Sequence, residues 1–283
     1  MTASLLDGRL VSNFLLQGVS HKVSVLKKEK ITPKLVIILV GDSPASLSYI
    51  SQKSRAAEKT GIICEVKKLP SSTTTKNLIV LIEKLNKDKK THGILVQLPL
   101  PKQIETPLII RAIDPKKDVD GFNAYNLGKM FLSRGFERLA PCTPLGIIKL
   151  LEHYKISLSG KNVTIVGRSN IVGKPLAVML INRDATVTVC HSKTKNLSEY
   201  TKKADILVAA VGRPKFITAK MVKSGAVVID VGVNKVDGKL IGDSDFKTVS
   251  KKASALTPVP GGIGPMTVAC LMENVLKAAE QTI

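Results

Sequence analysis

Short runs rich in aliphatic and β-branched residues recur along this chain, each separated from the next by a spacer long enough for a helix. They are KLVIILVG (34–41), ICEVKKL (63–69) and GILVQLPLP (93–101), then NVTIVGR (162–168), TVTVCH (186–191), ADILVAAVG (204–212) and AVVIDVG (226–232). The 34–41 run is apolar throughout rather than at every second position, so it predicts a strand buried on both faces. Strands alternating with helix-length spacers specify a mainly parallel α/β fold. The spacing predicts helices over 4–27 (interrupted at Gly18), 43–57, 75–87, 173–183 and 266–280. Cys-Thr-Pro (142–144) predicts another helix start, with Thr143 as cap and Pro144 in the first turn.

At 283 residues the chain is long enough for two domains. A Gly-, Asp- and Asn-rich stretch with few strand formers (114–130) precedes a new start at Pro141, so the expected boundary lies at 140/141. The second half reads as a doubly wound, Rossmann-type nucleotide domain. The first is an α/β domain of its own.

Composition removes several function classes. The hydrophobic fraction is 44% against 23% charged, so a core can form. No apolar run exceeds Leu35–Val40, far below the ~20 residues of a membrane span. The start of the chain has no basic region before an apolar one, and reads as neither signal nor transit peptide. Four scattered cysteines without CxxC suggest a reduced, cytoplasmic protein, and four histidines without ligand spacing suggest no metal. The net charge of +21 has three readings. A lysine-biased solvated surface comes first and steering of an anionic small substrate second. Nucleic acid comes last, because there is no arginine stripe, no zinc finger and only 4% aromatic residues.

Four segments can carry chemistry. GRSNIVGKP (167–175) follows a strand and opens a helix, where a pyrophosphate can sit on backbone N–H groups. The next strand ends Cys190-His191-Ser192-Lys193, without the carboxylate that holds a ribose 2′-hydroxyl. With Arg168 nearby, that favours a 2′-phosphate and hence NADP. Tyr49 and Lys53 share a helix face, and a partly desolvated lysine can do acid–base work. Gln97 ends a buried strand, at the carboxyl edge where α/β proteins bind ligands. DVDGF (118–122) sets Asp118 and Asp120 in a turn, and PVPGGIGPMT (258–267) offers a rigid backbone for a flat ligand.

From about Leu5 to Ala278 these motifs, in this order, resemble the bifunctional methylenetetrahydrofolate dehydrogenase/methenyltetrahydrofolate cyclohydrolase (FolD) family. The resemblance rests on YISQK (49–53), VQLPLP (96–101), DPKKDVDGFN (114–123), PCTP (141–144), GRSNIVGKP, CHSKT (190–194), DVGVN (230–234) and PVPGGIGPMT. Ser54 and Arg55 after the lysine, Ser244 where valine is usual, and the high positive charge depart from the family pattern.

The resemblance implies NADP-dependent oxidation of 5,10-methylenetetrahydrofolate to the 5,10-methenyl cation, then its hydrolysis to 10-formyltetrahydrofolate, the one-carbon donor of purine biosynthesis. It implies Lys53 as the central catalytic group, Tyr49 as its neighbour over the folate, Gln97 as the partner that orients the lysine, and Asp120 as the pterin anchor. Val96 and Leu98 with Pro260, Gly261, Gly262, Ile263 and Gly264 would complete the folate site. Thr143, Gly167, Arg168, Ser169, Ser192 and Val233 would hold NADP. An ammonium 4 Å from the methenyl cation would cost roughly 4 kcal/mol at an effective dielectric of 20, so Lys53 must act there as the neutral amine.

Two domains around a cleft are expected: residues 1–140 catalytic and 141–268 binding NADP, with 269–283 a helix returning to the first domain. A homodimer through the nucleotide domain is implied, and polyglutamylated folates would account for a basic rim. The alternatives are one of the two activities alone, a Rossmann dehydrogenase of the shikimate-dehydrogenase type, or a nucleic-acid-binding protein.

Overall fold

In the computed structural model, which describes residues 3–282, the chain opens with a two-residue strand, β1 (Ser4–Leu5). There follow α1 (Gly8–Lys28), β2 (Lys34–Val40), α2 (Pro44–Thr60), β3 (Ile63–Leu69), α3 (Thr75–Lys87), β4 (Gly93–Val96), α4 (Thr106–Ala112) and α5 (Ala124–Met130). The second half runs α6 (Cys142–His153), β5 (Asn162–Val166), α7 (Gly173–Ile181), β6 (Thr186–Cys190), α8 (Leu197–Thr201), β7 (Ile206–Ala209) and β8 (Val227–Asp230). It closes with β9 (Asn234–Val236), β10 (Lys239–Ile241), α9 (Phe246–Val249), β11 (Ala255–Leu256) and α10 (Ile263–Ala279).

These elements fall into two compact units. One is Asn13–Cys142 with the chain from Val268 onward; the other is the segment up to Ser12 with Thr143–Thr267. The N-terminal segment thus groups with the nucleotide-type unit and not with the first expected domain. Its strand pairs in parallel with β11, Ser4 opposite Ala255 and Leu5 opposite Leu256. That pairing also corrects the helix expected over 4–27. The helix starts only at Gly8, where the Asp7 carboxylate accepts from the N–H groups of Arg9 (2.8 Å) and Leu10 (3.2 Å). Gly18 does not interrupt it.

In the first unit a parallel three-stranded sheet, order β3-β2-β4, centres on β2. Leu35 to Leu39 are all at most 1% exposed, so both faces of the central strand are covered. On one face Val36 and Ile38 pack with Ile94 and Val96 of β4 and with Leu78, Ile82 and Leu85 of α3. Those α3 residues recur at i, i+4 and i+7, one stripe of a helix whose first turn is capped by Thr74, accepting from Asn77 N–H at 3.2 Å. Each such buried aliphatic side chain contributes about 1.5–3 kcal/mol.

The second unit is built on a six-stranded sheet, order β1-β11-β8-β7-β5-β6, with every pairing parallel. Successive strands leave β5 in opposite directions, β6 to one side and β7 to the other, which makes its carboxyl end the topological switch point. The strands are shorter than the apolar runs suggest, because their last residues turn out of the sheet into the loops of that edge. The β9–β10 hairpin has no counterpart in the sequence pattern. Thr143 is not a cap: α6 begins at Cys142, and the Thr143 hydroxyl instead meets that of Thr267 at 3.0 Å. No helix among the described residues is long and apolar enough to cross a membrane.

Candidate active site

In the first unit the carboxyl end of β4 is the organising point. Gln97 follows the last residue of the strand, and its N–H still donates to Ile38 C=O at 2.9 Å, so its backbone belongs to the sheet. Its side-chain Nε2 donates to Leu98 C=O (2.7 Å), which turns Oε1 outward to accept from Lys53 Nζ at 2.9 Å. Gln97 is 8% exposed. Lys53 is half-buried on α2, one turn after Tyr49, whose ring is exposed and whose hydroxyl has no hydrogen bond to the described residues. Val96 and Leu98 flank Gln97 in the chain and line a small apolar pocket that also takes in Asp120 and Phe122.

The turn carrying Asp120 is held by its neighbour. The buried Asp118 carboxylate accepts from Asn123 N–H (2.7 Å), Gly121 N–H (3.2 Å) and Asn126 Nδ2 (3.0 Å). Ile94 N–H, donating to Lys117 C=O at 2.8 Å, pins the same turn to β4. Gly121 has no substitute. Its φ is +75°, and a Cβ would lie 2.5 Å from Ala140 C and Pro141 N. Asp120 itself is half-buried, and its carboxyl accepts no hydrogen bond from the described residues. Burial pushes it up to about 6, an effect the Lys53 ammonium opposes and Asp118 reinforces. Burial also raises Asp118, against its hydrogen bonds.

Behind this turn lies a residue that sequence reasoning missed. Asn274 on α10 is fully buried, and its Nδ2 donates to Val119 C=O and Ala140 C=O, both at 2.9 Å. An asparagine inside the apolar stretch LMENVL was the available signal. Cys142 donates to the same Val119 carbonyl (3.3 Å), and burial drives its thiol well up, so it is no nucleophile.

The nucleotide-type unit presents its loops at the carboxyl edge of the six-stranded sheet. Gly167 follows β5 with φ +134°, and a Cβ there would fall 2.2 Å from Ala210 C=O. The loop can therefore lie flat against its neighbour only with glycine. Ser169 Oγ accepts from Val172 N–H (3.1 Å) and Gly173 N–H (3.4 Å) at the start of α7, leaving Arg168 and Ser169 exposed. After β6, His191 and Thr194 close a tight turn that exposes Ser192 and Lys193. A glycine-shaped loop at a switch point, an exposed arginine, and hydroxyl and ammonium donors instead of a carboxylate fit a phosphorylated dinucleotide.

Val233, exposed in the loop after β8, is held from below by two carboxylates that sequence reasoning also missed. Asp230 accepts from Gly232 N–H (3.0 Å), Asp243 N–H (2.8 Å) and Ser244 N–H (2.7 Å), and burial pushes it up to about 6. Asp243 accepts from the N–H groups of Val211, Gly212 and Arg213 at 2.6–2.9 Å and from Asn234 Nδ2 at 2.9 Å. Their spacing in DVGVN and GD gave no hint that they meet.

The structure therefore brings together Lys53, Gln97, Val96 and Leu98 in the first unit, with Asp120 close enough for its carboxyl to feel the lysine charge. Gly167, Arg168, Ser169, Ser192 and Val233 stand at carboxyl ends of strands in the second. Pro260–Gly264 also falls in the second unit, where Arg9 N–H donates to Gly261 C=O at 3.1 Å. Ile263 and Gly264 already belong to α10.

Comparison with known proteins agrees with both halves. Residues 6–120 match the family model of the tetrahydrofolate dehydrogenase/cyclohydrolase catalytic domain, and 141–283 that of the corresponding NAD(P)-binding domain. The bifunctional protein FolD of Nautilia profundicola is 51% identical, covering 98% of this chain and 97% of that one. The crystal structure of the Campylobacter jejuni bifunctional enzyme FolD superposes with a TM-score of 0.97 at 48% identity, covering 99% of this chain and 100% of that one. The Trypanosoma brucei dehydrogenase-cyclohydrolase complexed with NADP cofactor and inhibitor gives 0.96 at 34% identity, covering 100% and 99%. A Thermus thermophilus shikimate dehydrogenase reaches only 0.51 at 13% identity over 88% of this chain and 100% of that one, a likeness of fold alone.

Proposed function

Because the chain belongs to the tetrahydrofolate dehydrogenase/cyclohydrolase family, we propose that Lys53 is the group on which both of its reactions turn. These are the NADP-dependent oxidation of 5,10-methylenetetrahydrofolate to 5,10-methenyltetrahydrofolate and the hydrolysis of that cation to 10-formyltetrahydrofolate. NADP would be held by Thr143, Gly167, Arg168, Ser169, Ser192 and Val233, and supplies the hydride acceptor of the first reaction.

The observation that carries the assignment is the 2.9 Å hydrogen bond from Lys53 Nζ to Gln97 Oε1. A lysine side chain has many rotamers; one accepted bond from a sheet-anchored amide selects the conformation aimed at the carboxyl edge of β4. In the hydrolysis, the oxygen of a water bonds to the one-carbon centre, and one of its protons passes to the neutral Lys53 amine. The C–N5 bond of the folate then breaks, and N5 takes the remaining hydroxyl proton as the formyl C=O forms. One proton is released overall. Tyr49 would lie beside the lysine over the folate. Asp120, desolvated and without a partner in the chain, would accept N–H groups of the pterin ring. Val96, Leu98 and Pro260–Gly264 would complete the substrate site.

Replacing Lys53 with Met removes the proton acceptor and should lower cyclohydrolase turnover by ~10²-fold or more, with folate affinity retained. The absorbance of the methenyl compound reports the rate and equilibrium titration the affinity. A fully active variant would remove Lys53 from the mechanism.

A homodimer through the nucleotide-type unit completes the reading. In its support, β6 stands at the edge of the six-stranded sheet with one row of main-chain groups unpaired in that sheet. Sedimentation of the full chain at monomer mass would exclude it. A cytoplasmic location accords with four free cysteines. Polyglutamylated folates are the proposed substrates of a chain with 43 lysines and arginines against 22 acidic residues. Their KM should rise with ionic strength more steeply than that of the monoglutamate.

A further inference from the structure

A pocket of about 320 Å³ in the nucleotide-type unit takes no part in the roles assigned above. It lies beside the end of β8 and is lined by Lys215, Leu240, Ser244, Phe246 and Lys247, with Asp230 and Asp245 among its walls. Its polar groups divide into those already occupied and those left over. Asp230 accepts the three N–H groups described above, and Asp245 Oδ2 accepts from Thr248 Oγ1 at 2.7 Å. The side-chain ammonium groups of Lys215 and Lys247 have no partner among the described residues. Ser244 is 3% exposed, and its Oγ is buried without a hydrogen bond. Leaving such a hydroxyl unpaired costs about 1–3 kcal/mol.

Two free cations and one unpaired hydroxyl are complementary to an anion with several acceptor oxygens. Leu240 and Phe246, each 44% exposed at the same pocket, add apolar surface on which a flat ring can lie. The volume is at the lower end of the range for small-molecule sites. The serine is itself one of the positions at which this sequence departs from the family pattern, where valine is usual.

We propose that this pocket is a second ligand site, separate from the one assigned to NADP, and that it takes a phosphate monoester bearing a flat ring system, of the size of a nucleoside monophosphate. The phosphate sits between Lys215 and Lys247 with Ser244 Oγ donating to it, and the ring rests on Phe246 and Leu240.

The test is calorimetric titration of adenosine 5′-monophosphate into the full chain saturated with NADP, with adenosine as the uncharged comparison. Saturable one-to-one binding is expected, weakened roughly tenfold or more by Lys247→Met and by Ser244→Val, and weaker by a similar factor for adenosine. Both variants should keep the parent melting temperature, since one changes an exposed lysine and the other swaps side chains of similar volume. The proposal is overturned by no heat at millimolar nucleotide, by unchanged binding in both variants, or by adenosine binding as tightly as its monophosphate. Binding seen without NADP and lost on its addition would overturn it equally, by assigning the nucleotide to the other site.

Discussion

Asp120 in one unit and Asp230 in the other make an instructive pair. Burial pushes both carboxyls up to about 6. Asp230 accepts three backbone N–H groups, whereas Asp120 accepts nothing from the described chain. The same displacement therefore marks a structural clamp in one place and a free acceptor beside a lysine in the other. A perturbed carboxyl alone does not distinguish a binding group from a scaffold group; the count of its partners does. Each unit also uses a clamp of this kind to present a neighbour: Asp118 holds the turn that offers Asp120, and Asp230 with Asp243 holds the loop that offers Val233.

The contrast breaks most directly at Asp230. Asp230→Ala strands three buried N–H groups and should cost on the order of 4 kcal/mol, read as a fall in the urea midpoint. A loss below about 1 kcal/mol would mean that the clamp is not structural.

Asp120→Asn should do the opposite. A folded-state pKa above the unfolded one means the folded protein binds the proton more tightly, so stability falls as pH rises from about 4 to about 6 and the full penalty stands above that. The substitution therefore raises the melting temperature of the unliganded protein at pH 7.5, and the gain vanishes near pH 4. Folate affinity should drop about tenfold or more at the same time. A variant that is no more stable yet binds folate normally would place Asp120 with the clamps.

The smallest effect sharpens the assignment in the second unit. Arg168→Ala should raise the KM for NADP about tenfold and that for NAD much less, because only the former carries a 2′-phosphate. Equal changes would remove the phosphate contact and leave the loop as a generic nucleotide turn.

Much of this site was legible in the residues. The four-residue spacing of Tyr49 and Lys53 sets both on one helix face, and Gln97 at the end of an apolar run could only stand at a sheet edge. The absence of a carboxylate after Cys190 spoke for NADP without any coordinates. What stayed hidden were groups whose partners are far away in the chain. Asn274 reaches Val119 across 155 positions, and Asp230 finds the N–H groups of 243 and 244. Residues 4 and 5 carry helical spacing yet pair as a strand with 255 and 256. Thr143 has the chemistry of a cap and spends its hydroxyl on Thr267 instead.

Local pattern alone determined the parallel α/β architecture, the order of its strands and helices along the chain, and the loops on which its chemistry sits. Hydrophobic periodicity and turn chemistry act over a few residues and can be read there. Only the folded molecule decided which carboxylates are clamps and which are free, where the N-terminal strand pairs, and that Ser244, Lys215 and Lys247 share one pocket. Those outcomes depend on desolvation and on hydrogen bonds between segments far apart in the chain, and neither leaves a mark on the local pattern.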